Sequence, residues 1–340
     1  MEPLVDDIGS FPLPSTTDRE IYDRAYRLAR EALTCGKDIS QDDFIRKNFY
    51  EVTIDSFRTK ISSGLDVANT PWHYDGIRQV SDTIHKTMEK GTFVVGEKDA
   101  FLPEVRVIEE QAKTLNEEYG RKIMLRVCMF GPMEQYLREI GTEYYGDVLD
   151  ELAETIRRFA KNSIINSKYM ETKVVSIDEP SFGIHNILTT PDVVCEVLEK
   201  AFNFKGAIKQ IHLHSTVGVS DLLSVENIDV LSFEYAASPL NIEAVPKRML
   251  EKSDKQIRVG ISRTDIDTIW AELIERGISN PSNEQLVESE DTIRKRFSVA
   301  KEKYGETMTF TGPDCGLNGW PTQDAAQTLL KHTVKAVKTA

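Results

Sequence analysis

Paired cysteines, long apolar runs and an excess of positive charge are all missing from this sequence. Its four cysteines, Cys35, Cys128, Cys195 and Cys315, stand far apart with no paired spacing. That pattern excludes a disulfide framework and fits a reducing compartment. No apolar stretch approaches the ~18–20 residues that a membrane span needs. The opening residues, MEPLVDDIGSFPLP, carry acids where a secretory signal would carry a basic and then an apolar segment. A cytoplasmic protein with no membrane partner is the expectation. Lys and Arg number 42 against 55 Asp and Glu, a net charge of −13, which argues against a nucleic-acid partner. The acidity leaves room for a neutral or cationic small substrate or an electropositive protein partner, and it also serves solubility. With 19 Gly and 13 Pro in 340 residues, neither a disordered nor a fibrous class is indicated. No repeat of fixed period and no low-complexity segment occurs.

What is present is a rhythm of short β-branched runs and longer amphipathic stretches. The spacing predicts helices from about Ser15, over 42–61, 75–88, 103–119 and 145–167. Between them lie a short strand at 65–67 and a buried strand, KIMLRVCMF, from Lys122. The second half alternates more cleanly. TKVVSID, IKQIHLH, IDVLSFE, QIRVGIS and TMTF read as strands, and each is followed by a helical stretch, one of them spanning 283–304. Strands alternating with helices pair in parallel. About eight such units with no linker between them predict a single α/β domain over residues 1–340, closed as a (β/α)8 barrel.

In such barrels the chemistry sits at the C-terminal ends of the strands. His212 and His214 close IKQIHLH, Glu234 closes IDVLSFE, Asp178 and Glu179 close TKVVSID, and Cys315 follows TMTF in GPDCGL. His, Glu and Cys delivered to one rim make a zinc ligand set. His212, His214 and Thr216 share a face if the strand continues through them. Spacing alone leaves the other readings open: a hydrogen-bonded core histidine, a salt-bridged glutamate, a small buried cysteine.

The segments IGSFP (Ile8–Pro12), GLDV (Gly64–Val67), IDEP (Ile177–Pro180), HLHST (His212–Thr216), DVLSFE (Asp229–Glu234) and PDCGL (Pro313–Leu317) carry a resemblance. In order and spacing the sequence resembles the catalytic half of cobalamin-independent methionine synthases, and in particular their short, folate-independent core forms. The resemblance implies a (β/α)8 TIM barrel of the methionine synthase and uroporphyrinogen decarboxylase type. It implies Zn²⁺ as the metal and transfer of a methyl group from a methylated corrinoid, either free methylcobalamin or a corrinoid protein, to the thiol of homocysteine. The family binds zinc through a His, a Cys two residues later, a Glu and a second Cys. Matched residue by residue, that implies His214, Glu234 and Cys315, with Thr216 at the first cysteine position. Either three protein ligands suffice or His212 or a water completes the set.

The resemblance also implies substrate contacts. Gly9 and Ser10 would clamp a carboxylate, and Asp178 would hold an ammonium group unless it merely caps a helix. Glu179 joins them on the rim unless it points outward to a salt bridge. The family's amine-holding Glu is replaced near Trp72 or His73, and its proton-handling His is replaced by Arg263, here assigned to catalysis. A zinc-bound His ordinarily donates its second ring N–H to a carboxylate, and Asp229 and Asp314 are the candidates. With Cys315 and Glu234 ionised and histidine neutral, the zinc centre would be formally neutral. The missing amine-binding Glu keeps other thiols, such as coenzyme M, in view. The departure at Thr216 keeps a catalytically inactive, corrinoid-protein-binding paralogue in view. Tetrapyrrole decarboxylation lacks the arginine cluster it would need.

Overall fold

A computed structural model describes residues 2–340. Eight strands carry the fold: β1 (Leu4–Val5), β2 (Val67–Asn69), β3 (Ile123–Phe130), β4 (Met170–Asp178), β5 (Ile208–Leu213), β6 (Val230–Phe233), β7 (Gln256–Ser262) and β8 (Met308–Pro313). From β2 to β8 each strand pairs in parallel with the next, and β1 pairs in parallel with β8. Helices cross between successive strands, so the chain is a (β/α)8 barrel.

The seam between β1 and β2 is the thinnest join. It consists of one parallel bridge, Asp6 to Val67, and the Asp66 N–H donating to the Val5 carbonyl at 2.8 Å. Side chains add to it. Asp66 Oδ2 accepts the Val5 N–H at 2.9 Å, and Asp7 accepts the Asn69 N–H at 2.8 Å. Lys60, fully buried, meets Asp7 at 2.6 Å.

Strand period two stacks the inward side chains in layers. Val67, Val174, Val230 and Phe310, from the even-numbered strands, form one apolar layer. The next positions up the odd-numbered strands are charged or polar: Asp6, Arg126, Gln210 and Arg258, all completely buried. Asp6 accepts from Arg126 and, at 2.7 Å, from Arg258 Nε. Gly312 is required here, because a Cβ on it would lie 1.9 Å from the Asp6 carbonyl oxygen. Above that layer stand Ser176 and Ser232, then the strand ends.

Several helices differ from the sequence pattern. The stretch 103–119 is two helices, Pro103–Glu110 and Ala112–Tyr119, because Gln111 leaves helical geometry. The stretch 283–304 breaks into Asn283–Leu286 and Glu290–Tyr304. Glu288, in the break, turns inward to accept the Arg263 N–H at 2.8 Å and to pair with Arg296 at 2.7 Å. The expected helix at 145–167 ends at Asn162. A helix that periodicity did not predict, Pro132–Glu139, starts at a proline, with the Glu179 carboxylate capping its first amides. Among the described residues no helix is long and apolar enough to cross a membrane.

Candidate metal centre and substrate cavity

Four side chains converge above the layered interior. His212 is the penultimate residue of β5, with His214 one residue beyond the strand. Glu234 follows β6 directly and Cys315 lies two residues past β8. One ligand atom from each of the four lies within 4.8 Å of every other. Cys315 Sγ is 3.5 Å from His214 Nε2, and His214 Nε2 is 3.7 Å from Glu234 Oε1. Zinc bonds of about 2.0–2.3 Å at tetrahedral angles place ligand atoms about 3.3–3.7 Å apart. The cluster therefore fits a four-coordinate ion once its widest pairs, which lie within 4.8 Å, close by roughly 1 Å. His212 Nε2 gives the independent test: it is completely buried and has no hydrogen-bond partner. Such an atom calls for an acceptor or a cation. His212 Nδ1 lies 3.0 Å from Ser232 Oγ on the neighbouring strand, which orients Nε2 toward the cluster.

The structure thus brings His212, one of the completions the sequence left open, beside His214, Glu234 and Cys315. Thr216 Oγ1 instead donates to Asn241 Oδ1 at 3.1 Å, because the chain leaves the strand direction after Leu213. Neither acid proposed as a histidine partner fills that role. Asp229 accepts the Lys209 N–H at the far end of β6, and Asp314 accepts three backbone amides.

Burial dominates the electrostatics of the metal-free cluster. It pushes the Glu234 carboxyl up to about 7, with Asp314 and Asp265 adding to the rise and His214 opposing it. Burial raises the Cys315 thiol well above its ordinary range and drives the His212 imidazole well below its own. Acids whose ionisation is opposed by desolvation around one point are the groups that a bound dication would favour in their charged form.

The cluster forms part of the wall of a cavity of about 800 Å³. Gly9, Ser10, Trp72, His73, Asp178, His212, His214 and Cys315 all line it. Asp178 accepts from Ser176 Oγ at 2.6 Å, and burial raises its carboxyl to about 6. Gly9 (φ +66°) brings the backbone against the Trp72 ring and Gly316. Trp72 itself adopts φ +47°, a conformation that costs a bulky residue of order 1–3 kcal/mol and clusters at functional sites. Its ring stands edge-on to Phe130. His73 is held by Phe11 O and Ser56 Oγ, both at 2.9 Å.

Two assigned residues do not reach the cavity. The Arg263 guanidinium is engaged by Asp265 at 2.6 Å and Glu272 at 2.9 Å, so it is not available for catalysis. Glu179 is completely buried, and its oxygens accept the Met133 and Glu134 amides at 3.0 and 2.7 Å. It caps a helix rather than binding substrate. Sequence reasoning also missed Arg19, Arg78, Arg138 and His185 at the cavity. They come from helix ends and a loop with no motif, so no sequence signal marked them. Ser232, two residues before Glu234, was within reach of strand parity.

No protein-family model matches the chain. Over 169 residues it is 29% identical to a methionine synthase of Methanothermobacter marburgensis, a match covering 48% of this chain and 46% of that protein. The match therefore spans about half the length of that relative. Two solved structures share the architecture. One is a B12-independent methionine synthase from Shewanella sp. W3-18-1 in complex with selenomethionine, with a TM-score of 0.58 and 14% identity over 100% of this chain and 98% of that one. The other is a methyltransferase from Methanosarcina mazei, with a TM-score of 0.56 and 13% identity over 98% and 94%. The chain thus resembles a methionine synthase in about half of its sequence, and it shares its barrel with a methionine synthase and a methyltransferase.

Proposed function

We propose that this chain is a zinc-dependent methyltransferase that moves a methyl group from a methylated corrinoid to the thiol of homocysteine, giving methionine. The observation that carries the reading is the convergence of His212, His214, Glu234 and Cys315 on one point, with His212, His214 and Cys315 in the cavity wall. A zinc ion held by these four would acidify a thiol entering its coordination sphere, whose ordinary pKa is near ~8.5, so that the nucleophilic thiolate is present at neutral pH. The chain's own residues do the rest. Asp178 offers a carboxylate to a substrate ammonium group, Ser10 and the Gly9 backbone offer polar contacts to a carboxylate, and Trp72 and Phe130 keep water off one wall.

A corrinoid donor is supported by the rim. The loops at 180–191, 213–220 and 235–242 contain no Asp, Glu, Lys or Arg. Among the described residues they carry the four most exposed large apolar side chains, Ile184, Leu188, Val217 and Leu240, at 54–82% exposure. Exposed apolar surface without charge marks a contact face, and Ile184 carries it to the cavity lining, as a large donor or its carrier protein requires. Trp72 supports a second reading. Trp72 or His73 stands near the place of the family's amine-holding glutamate, which favours a thiol without an amino group, such as coenzyme M.

Methylcobalamin supplied with homocysteine and, separately, with coenzyme M tests both readings. The expected result is a thioether product from one thiol, lost with a chelator and with Cys315→Ser. Turnover unaffected by either treatment would refute the metal reading, and no product from any thiol would refute methyl transfer.

A further inference from the structure

Resting on the metal reading above, we propose that Asp314 is a positioning residue that sets the separation of Glu234 and Cys315. These two ligands come from β6 and β8, which are not neighbours, because β7 runs between them. Asp314 immediately precedes Cys315 and is 1% exposed. Its carboxylate crosses over β7 and accepts the amides of the three residues that follow Glu234: Tyr235 at 3.1 Å, Ala236 at 3.0 Å and Ala237 at 2.7 Å. Its own N–H donates to the Ser262 carbonyl of β7 at 2.9 Å. One side chain therefore ties the segment after one ligand to the residue before another.

The crossing depends on Gly260. A Cβ there would lie 2.2 Å from Asp314 Oδ1 and 2.6 Å from Asp314 Cα, and a flanking strand residue has no other way to clear the carboxylate. A second tie works from the other side. Asn241 donates to the Glu234 carbonyl at 2.9 Å while accepting from Thr216. The ligand backbone is thus held before any ion arrives, and a preformed site keeps more of its binding free energy as affinity.

The test compares Asp314→Ala and Gly260→Ala with Asp229→Asn. Asp229 is also a backbone-binding carboxylate, tying the start of β6 to β5 at the end away from the cluster, so it reports a merely structural loss. Zn²⁺ affinity is measured by competition with a chromophoric chelator. Co²⁺ replacement reports ligand geometry through its visible absorption, and thermal unfolding of each metal-free variant is recorded alongside. The expected result is a fall in affinity of about 10–100-fold and weakened tetrahedral cobalt bands for both Asp314→Ala and Gly260→Ala. Asp229→Asn should change neither, even where its melting temperature drops equally. Wild-type affinity and spectrum in Asp314→Ala would overturn the assignment alone, as would an equal loss in Asp229→Asn. Failure of the wild-type protein to bind either ion would overturn it together with the metal reading.

Discussion

At the residue scale, the centre turns on which histidine pair points inward. His212 and His214 are two apart on one strand face, and their rings meet at 74° with centroids 5.5 Å apart. Thr216, the residue that strand parity would add next, has already left the sheet and binds Asn241. A hydroxyl is a poor zinc donor beside an imidazole, and the structure gives it other work. His212→Ala should therefore cost more zinc affinity than the about 10–100-fold typical of an outer-sphere partner. Thr216→Ala should leave the zinc content per chain unchanged, as measured by atomic emission. The reverse pattern would exclude His212 as a ligand.

At the element scale, the helical shell carries a buried acid of its own. Glu104, in the first turn of Pro103–Glu110, accepts from Gln79 on the helix Arg78–Met88. Burial raises its carboxyl from 4.5 to about 7. The folded state therefore binds this proton more tightly than the unfolded chain does. The stability it contributes is fully present below about pH 4.5 and is lost as pH rises through 7. Glu104→Gln keeps an acceptor for Gln79 and removes the titration. Its melting temperature should fall less than that of the wild type between pH 5 and pH 8, by on the order of a few degrees. Identical pH profiles would show that Glu104 does not titrate in this range.

At the scale of the whole molecule, the barrel is closed by side chains where its backbone pairing is thinnest. Lys60 and Asp7, both buried, meet at 2.6 Å across the seam between β1 and β2, and Lys60 also donates to the Gly9 and Thr70 carbonyls. Removing one partner of a buried pair leaves an uncompensated charge, at a cost of about 3–5 kcal/mol. Lys60→Met should lower the unfolding free energy in urea by that amount, and adding Asp7→Asn should recover part of it. Because Gly9 sits on the same tie, the seam also holds one wall of the cavity. A loss below about 1 kcal/mol would mean that the seam is held by its backbone bonds alone.

Much of this was legible in the chain itself. The alternation of β-branched runs with amphipathic stretches determined the barrel, because a parallel sheet needs a crossover between every pair of strands. The strand ends then delivered His214, Glu234, Cys315 and Asp178, since rim chemistry follows from strand position. Tertiary structure alone decided the rest. Whether His212 or Thr216 faces the cluster depends on where a strand stops. Glu179 and Arg263 were withdrawn from the site by a helix start and by two acids, partners that come from packing and not from periodicity. The carboxylate of Asp314 reaches amides 77–79 positions away only because Gly260 leaves room between two strands. Local pattern reports which face a side chain takes; what it meets there is set by elements far away in sequence.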